Sequence, residues 1–209
     1  MYGEAYKSSN RLHRTARKIK RIGNFFFKIR SFTPIPFILA LLYFAEPVWY
    51  TVGIGALFIA AGEFLRIWAV GYAGASTRAR TLGAARDLVT TGPYSYVRNP
   101  LYLGNFLLSL GVCFVVNVYW LVAVLVVGYF LQYLPIIAVE ESYLMESCGP
   151  AYQAYRDRVP RFIPKLRSYP EPSPHDFSWT RAIKSEKRTL TAIACVIGLM
   201  FTRQIIGTL

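Results

Sequence analysis

The side chains in this sequence best suited to chemistry are one arginine, one asparagine and an adjacent pair of glutamates. In GPYSYVRNPLYLGN, residues 92–105, Arg98 and Asn99 stand directly before Pro100. Residues 101–139 then carry no formal charge, and the run ends on Glu140 and Glu141. A guanidinium recognises a carboxylate or phosphate through paired hydrogen bonds. A carboxylate receives an ammonium or hydroxyl group, and burial that raises its pKa suits it to general-base work. If the uncharged run folds back on itself, the two ends meet and form a seat for a zwitterion such as an amino acid moiety. Taken singly, these residues also have plainer uses. Arg98 can snorkel to lipid phosphate, Tyr94, Tyr96 and Tyr102 can form an aromatic belt, and the glutamates can end a helix at the water boundary.

The elements that must position them read as membrane helices. The chain has 209 residues, 54% hydrophobic and 17% charged, with mean hydropathy +0.33. These values place it as one domain among integral membrane proteins. In that setting the net charge of +13 points to loop asymmetry and anionic lipid headgroups rather than to nucleic acid. Cys113, Cys148 and Cys195 form no CxxC and no metal spacing, and Cys113 and Cys195 read as packing residues in apolar runs.

Residues 1–32 form a basic arm, with Arg11, Arg14, Arg17, Lys18 and Arg21 at helical spacing between apolar residues. The arm reads as an amphipathic helix lying on an anionic surface, with an organellar transit peptide as the alternative. Residues 33–209 follow as the membrane domain. Runs over 35–50 and 51–72 suggest a hairpin turning at Glu46-Pro47, with Glu63 and Arg66 inside its second arm. Residues 101–139 suggest a second hairpin turning near Asn117-Tyr119, each arm about 18 residues or about 27 Å long. A fifth span could run from Leu190, weakened by Arg203 and Gln204. The expected fold is therefore all-α, a polytopic bundle of about five transmembrane helices. Lys and Arg concentrate in residues 1–32, 73–100 and 140–189 and are absent from the turns near 46 and 117. That asymmetry predicts a cytoplasmic N-terminus and cytoplasmic large loops. Asn99 and Pro100 suit the N-cap and first position of a helix, whose free amides and dipole would point toward Arg98.

Beyond Glu141 the chain reads EESYLMESCGPAYQAYRDRVPRFIP. Here the sequence resembles the integral membrane methyltransferases related to isoprenylcysteine carboxyl methyltransferase and phospholipid N-methyltransferase. GPYSYVRNPLYLG resembles their G-x-Y-x-x-x-R-H-P-x-Y-x-G segment, and EESYL their E-E-x-x-L segment. GPAYQAYRDRVPRFIP and GEFLRIWAVG, residues 62–71, are similar to the flanking segments. The resemblance covers residues 53–165 and departs from the family at Asn99, where the family has a histidine. Asparagine can cap and hydrogen-bond but cannot titrate near neutral pH.

The resemblance implies S-adenosylmethionine as methyl donor, bound at the cytoplasmic membrane face. It implies that Tyr94, Arg98, Asn99, Pro100, Tyr102 and Gly104 line the cofactor site, with Glu140 and Glu141 receiving its amino group or ribose hydroxyls. No G-x-G-x-x-G follows a predicted strand, so a soluble dinucleotide-type fold has no support. Methyl transfer is an in-line displacement, served by alignment and exclusion of water. Arg98, Glu140 and Glu141 are the candidate catalytic residues. Either glutamate could assist an amine, and Arg98 or Arg158 could position a carboxylate or phosphate. The acceptor implied is amphiphilic, a small isoprenoid or lipid in preference to a prenylated protein, with Tyr152, Tyr155 and Arg158 in the loop over its head. Glu63 and Arg66 stand at i and i+3, as a structural pair or as part of the acceptor site. A small transporter or channel, and a noncatalytic scaffold retaining the fold, are the competing functions.

Overall fold

A computed structural model describes residues 18, 20–73 and 87–207, without the side chains of residues 188, 200, 201 and 203–207. The basic residues at 11, 14 and 17 and the loop at 74–86 lie outside the described residues. The described residues form helices and no strand: α1 (Lys20–Ile29), α2 (Pro34–Tyr43), α3 (Trp49–Ala73), α4 (Pro100–Val115), α5 (Tyr119–Arg158) and α6 (Trp179–Gly207), with a 3₁₀ turn at Gly92–Ser95. α3 and α5 are long and apolar enough to cross a membrane. α1 and α2, bent by 49° at residues 30–33, make a third candidate if they act as one broken span. α4 is apolar and shorter, 16 residues, or about 24 Å.

Both expected turns are present. Glu46 donates its backbone N–H to the Val116 carbonyl at 3.0 Å, tying the α2–α3 turn to the α4–α5 turn. Asn117 takes positive φ (60°) in the second turn, a conformation asparagine tolerates better than most residues. Phe44 against Trp120 and Phe58 stacked on Phe114 close this end of the bundle.

α3 and α4 run antiparallel in close contact through two glycine pairs. A Cβ at Gly55 would lie 2.5 Å from the Gly111 carbonyl oxygen, and one at Gly62 would lie 2.8 Å from that of Gly104. Glycine at these positions lets the two backbones meet, as small residues do at membrane helix interfaces. Leu41, Cys113, Val115, Val116, Leu121, Leu125 and Tyr129 make the buried core between α2, α4 and α5.

Three expectations change. Within the described part of the arm, residues 20–32, α1 does not lie wholly on the surface: it turns Gly23 onto Pro135 and Val139 of α5, buries Phe27 and bends into α2. The apolar run at 190 is the distal part of α6, which begins at Trp179 and carries Arg181, Lys184, Glu186, Lys187 and Arg188 in its first turns. Cys195 lies exposed on that helix rather than packed, whereas Cys113 is buried.

Candidate active site

The uncharged hairpin does bring its ends together. Pro100 opens α4 as its first residue, and α5 continues past Val139, the end of the uncharged run, into a charged extension. The Arg98 guanidinium lies 3.3 Å from the Glu141 carboxylate, with both side chains nine-tenths shielded (11% and 12% exposed). Arg161 grips the same carboxylate with two nitrogens, Nε donating to Oε1 at 3.1 Å and Nη2 to Oε2. This bidentate fit is characteristic of arginine with a carboxylate. The hydrogen bond to Glu141 raises the Arg161 pKa further above its already high value.

Arg161 was invisible as a site residue in the sequence, although Pro160 and Pro164 bracket it. The loop bearing it is fixed to the α4 entrance by backbone bonds. Arg98 N–H donates to the Pro160 carbonyl at 2.9 Å, Lys165 N–H to Tyr96 at 3.1 Å and Tyr169 N–H to Ser95 at 2.9 Å. Asn99 sits at the N-cap position but makes no side-chain cap bond. Its amide instead donates to the Arg161 carbonyl at 3.2 Å. The asparagine thus joins the Arg98 segment to the Arg161 loop, a different use from the capping expected.

Gly149 (φ 50°, ψ −123°), followed by Pro150, breaks α5 beyond the glutamates. The break turns the last part of α5 back over the Arg98 segment, so Tyr152 and Tyr155 lie on helix and not in a loop. Tyr152 is buried and its hydroxyl meets Arg98; burial first, then the Glu141 charge, pushes its pKa up to about 12, against the opposing effect of Arg98. It therefore keeps its proton at neutral pH and can donate it in a hydrogen bond. The Tyr155 hydroxyl donates to the Tyr94 carbonyl at 2.7 Å, and burial raises its pKa as well. Arg158 turns away from this group, toward Glu171 at 3.4 Å on the exposed side.

Glu140 and Glu141 diverge, because adjacent helix residues point about 100° apart. Glu140 faces the Tyr102 hydroxyl, while Tyr129 donates to the Tyr102 carbonyl. Gly104 does not open toward Arg98: a Cβ there would meet the Gly62 carbonyl and the Arg66 methylenes. The group that assembles is therefore Arg98, Asn99, Glu141, Tyr152 and Arg161. Tyr94 supports it through its backbone, and Glu140 and Tyr102 lie beside it.

Two polar atoms in this group are buried without a hydrogen-bond acceptor, Nε and Nη1 of Arg98. The Nη1 contact with Glu141 has ion-pair distance but not hydrogen-bond alignment. Buried donors left unmade are costly, and either nitrogen could donate to an incoming carboxylate oxygen. With Glu141 alongside for an ammonium group, the residues fit the methionine part of S-adenosylmethionine.

A second polar group lies between α3, α4 and α6. Arg66 donates to Glu186 (Nε to Oε2, 3.0 Å), to Asn105 and to Thr189 (3.2 Å). Glu63, its i−3 neighbour, is 3.8 Å away, and neither of its buried carboxylate oxygens has a hydrogen-bond partner. The partner of Arg66 is thus mainly Glu186, which the sequence reading did not single out. Among the described residues no group of three or more His, Cys, Asp or Glu side chains is placed to hold a metal ion.

Comparison with known proteins converges on the same region. Residues 50–150 match the phospholipid methyltransferase family. The chain is 35% identical over 132 residues to protein-S-isoprenylcysteine O-methyltransferase of Schizosaccharomyces pombe, covering 60% of this chain and 54% of that protein. It is 29% identical over 172 residues to the cobalt-zinc-cadmium resistance protein CzcN of Cupriavidus metallidurans, covering 79% of this chain and 74% of that one. It is 38% identical over 80 residues to the nickel-cobalt-cadmium resistance protein NccN of Alcaligenes xylosoxydans xylosoxydans, covering 38% and 37%. The chain thus spans about half of the isoprenylcysteine enzyme and about a third of NccN.

Proposed function

We propose that this chain, which belongs through residues 50–150 to the phospholipid methyltransferase family, transfers a methyl group from S-adenosylmethionine to the polar head of an amphiphile. The coarser part stands on the family and on the apolar helices: a membrane protein of a methyltransferase family. The acceptor class, lipid-like or isoprenoid and methylated on a carboxylate or an amine, is our reading. It is supported by the membrane setting and by likeness to an enzyme named for an isoprenylcysteine substrate. We also place the site at the cytoplasmic face, because the basic residues cluster at its end of the helices. The bent α1–α2 pair, α3, α4 and α5 then serve as the spans, with α6 packed beside them and anionic lipids as neighbours.

When bound, S-adenosylmethionine supplies an electrophilic methyl group on a sulfonium. The chain's own residues do the positioning. Arg98 has unpartnered nitrogens from which to donate to a carboxylate, and Tyr152 braces the guanidinium. Glu141, held by Arg161, offers negative charge to an ammonium group. Glu140, turned toward Tyr102, lies outside that clamp and is placed to accept a proton if the acceptor is an amine. The Pro160–Tyr169 segment, fastened to residues 95–99, excludes water from the group, and alignment in a dry site supplies most of the rate.

The single observation carrying this reading is the buried Arg98 with two donors unspent beside Glu141. Calorimetric titration of the detergent-solubilised protein with S-adenosylhomocysteine tests it. Saturable binding that is lost in Arg98→Ala is expected. Absence of binding to the wild-type protein in lipid-supplemented detergent overturns the reading in favour of a transporter or scaffold.

A further inference from the structure

The segment following α5 carries two large apolar side chains at its most exposed points. Ile163 is 80% exposed and Leu166 is 99% exposed. Looseness does not account for this exposure. The segment is pinned at Pro160, Lys165 and Tyr169 by the backbone bonds to residues 95–98, and Arg161 is locked on Glu141. Between the two pins, Phe162 points along the apolar hairpin. Its ring stands 5.4 Å from that of Phe130 on α5, edge to face, and Phe130 is itself 5.6 Å from Phe106 on α4. Phe106 lies six residues inside α4 from Pro100, about 9 Å along its axis at 1.5 Å per residue. The Phe162 ring therefore lies alongside a membrane span, below the level at which the hairpin's charges end, while the backbone after it returns to Tyr96 and Ser95. Its charges are of one sign: between Asp157 and Glu171 the sequence holds Arg158, Arg161, Lys165 and Arg167 and no acid.

We propose that residues 162–167 dip into the bilayer, with Ile163 and Leu166 among the upper acyl carbons and Arg167 at the phosphates of an anionic leaflet. Apolar side chains fixed outward would be unfavourable in water and are favourable beneath the headgroups. Basic residues flanking them complement the negative surface. The occupant of this surface is lipid, because Phe162 packs on Phe130 of α5, a candidate membrane span whose Val127, Leu131 and Leu134 are exposed apolar residues. The dipping segment then forms the bilayer-side wall of the Arg98–Glu141 group. It stands whether or not the chain transfers methyl groups.

The test is tryptophan emission of Leu166→Trp in mixed phosphatidylcholine–phosphatidylglycerol vesicles, the phosphatidylcholine brominated near the headgroup end of its acyl chains. The emission added over the wild-type protein is expected to be blue-shifted and to fall about twofold with brominated lipid, as for a side chain at the headgroup–acyl boundary. Tryptophan at exposed Asp157 serves as the water-facing reference and should respond to aqueous acrylamide instead. If Leu166→Trp does not fold, Ile163→Trp provides the same reading. Added emission that acrylamide quenches and brominated lipid leaves unchanged overturns the proposal. S-adenosylhomocysteine binding by the same variants reads the methyl-transfer proposal separately.

Discussion

Arg98 and Glu141 stand 3.3 Å apart as an ion pair, yet two nitrogens of that arginine have no acceptor. An arrangement optimised only for stability would align the guanidinium with the carboxylate beside it. Here Arg161 takes the aligned position on Glu141, and Arg98 is left with capacity for a ligand. Glu141→Gln keeps the shape and removes the charge. Affinity for S-adenosylhomocysteine should then fall about 10- to 100-fold, the equivalent of a charge-assisted bond of about 1.5–3 kcal/mol. Glu140→Gln, on the side facing Tyr102, should reduce affinity less. Calorimetry showing no change in either variant removes the pair from the cofactor site.

Asn99 donates its side-chain amide to the Arg161 carbonyl and does not cap α4. Substitutions that preserve a donor should therefore be tolerated, and those that preserve only capping should not. Asn99→His can donate a ring N–H and should retain ligand binding. Asn99→Asp is as good a cap residue as asparagine but sets a carboxylate against a carbonyl oxygen. It should cost about 1–3 kcal/mol of stability and loosen the Arg161 loop. Thermal unfolding in detergent, with ligand affinity measured alongside, distinguishes the two. Tolerance of Asn99→Asp with loss in Asn99→His would return Asn99 to a capping role.

What the sequence made legible followed from its uncharged stretches. A charge-free run with Asn117 near its middle must turn there, and a hairpin returns Arg98 to Glu141, so that pairing was readable. Arg161 was not, because an arginine between prolines in a basic loop resembles any other loop arginine, and only the chain path shows it meeting Glu141. Glu186 was hidden in the same way, within the basic RAIKSEKR stretch of α6. Arg158 was drawn into the site by proximity to Tyr152 and Tyr155. The structure instead pairs Arg158 with Glu171 on the exposed side, although it lies only one turn beyond Tyr155. Gly104 entered the expected site through the resemblance, and in the structure the space beside its Cα is taken by Gly62 and Arg66 of α3.

The glycine seam between α3 and α4 predicts a sharp positional contrast. Gly62→Ala places a methyl 2.8 Å from the Gly104 carbonyl oxygen, and Gly104→Ala places one 2.6 Å from the Arg66 Cγ and 2.9 Å from the Gly62 carbonyl. Neither backbone can yield without separating the helices, so each should destabilise by about 1–3 kcal/mol. A methyl at Gly53, on the same helix as Gly62, would have nothing within 4 Å. Gly53→Ala should be neutral or slightly stabilising, since alanine is the better helix former. Unfolding midpoints of the three variants decide the matter, and similar values for all three would mean the helices do not meet at this seam.

Arg66 and Glu186 join α3 to α6 through a pair whose side chains are 12% and 1% exposed. α6 carries many charges in its first turns, and this pair and the Thr189 bond fasten it together with the Arg181 bond to the Gly71 carbonyl and the buried Ala182. Arg66→Ala leaves Glu186 and Glu63 buried together without the cation. Breaking a buried pair on one side typically costs about 3–5 kcal/mol. Glu186→Gln in the Arg66→Ala background removes one of the two neighbouring carboxylate charges and should restore part of that loss. The coupling in a double-mutant cycle is then substantial, which additive losses would contradict. Limited proteolysis gives an independent readout, because α6 should become cleavable in Arg66→Ala while α3–α5 stay protected. Protection of α6 in that variant would mean that lipid, the buried Ala182 and the Arg181–Gly71 bond, not the ion pair, hold it in place.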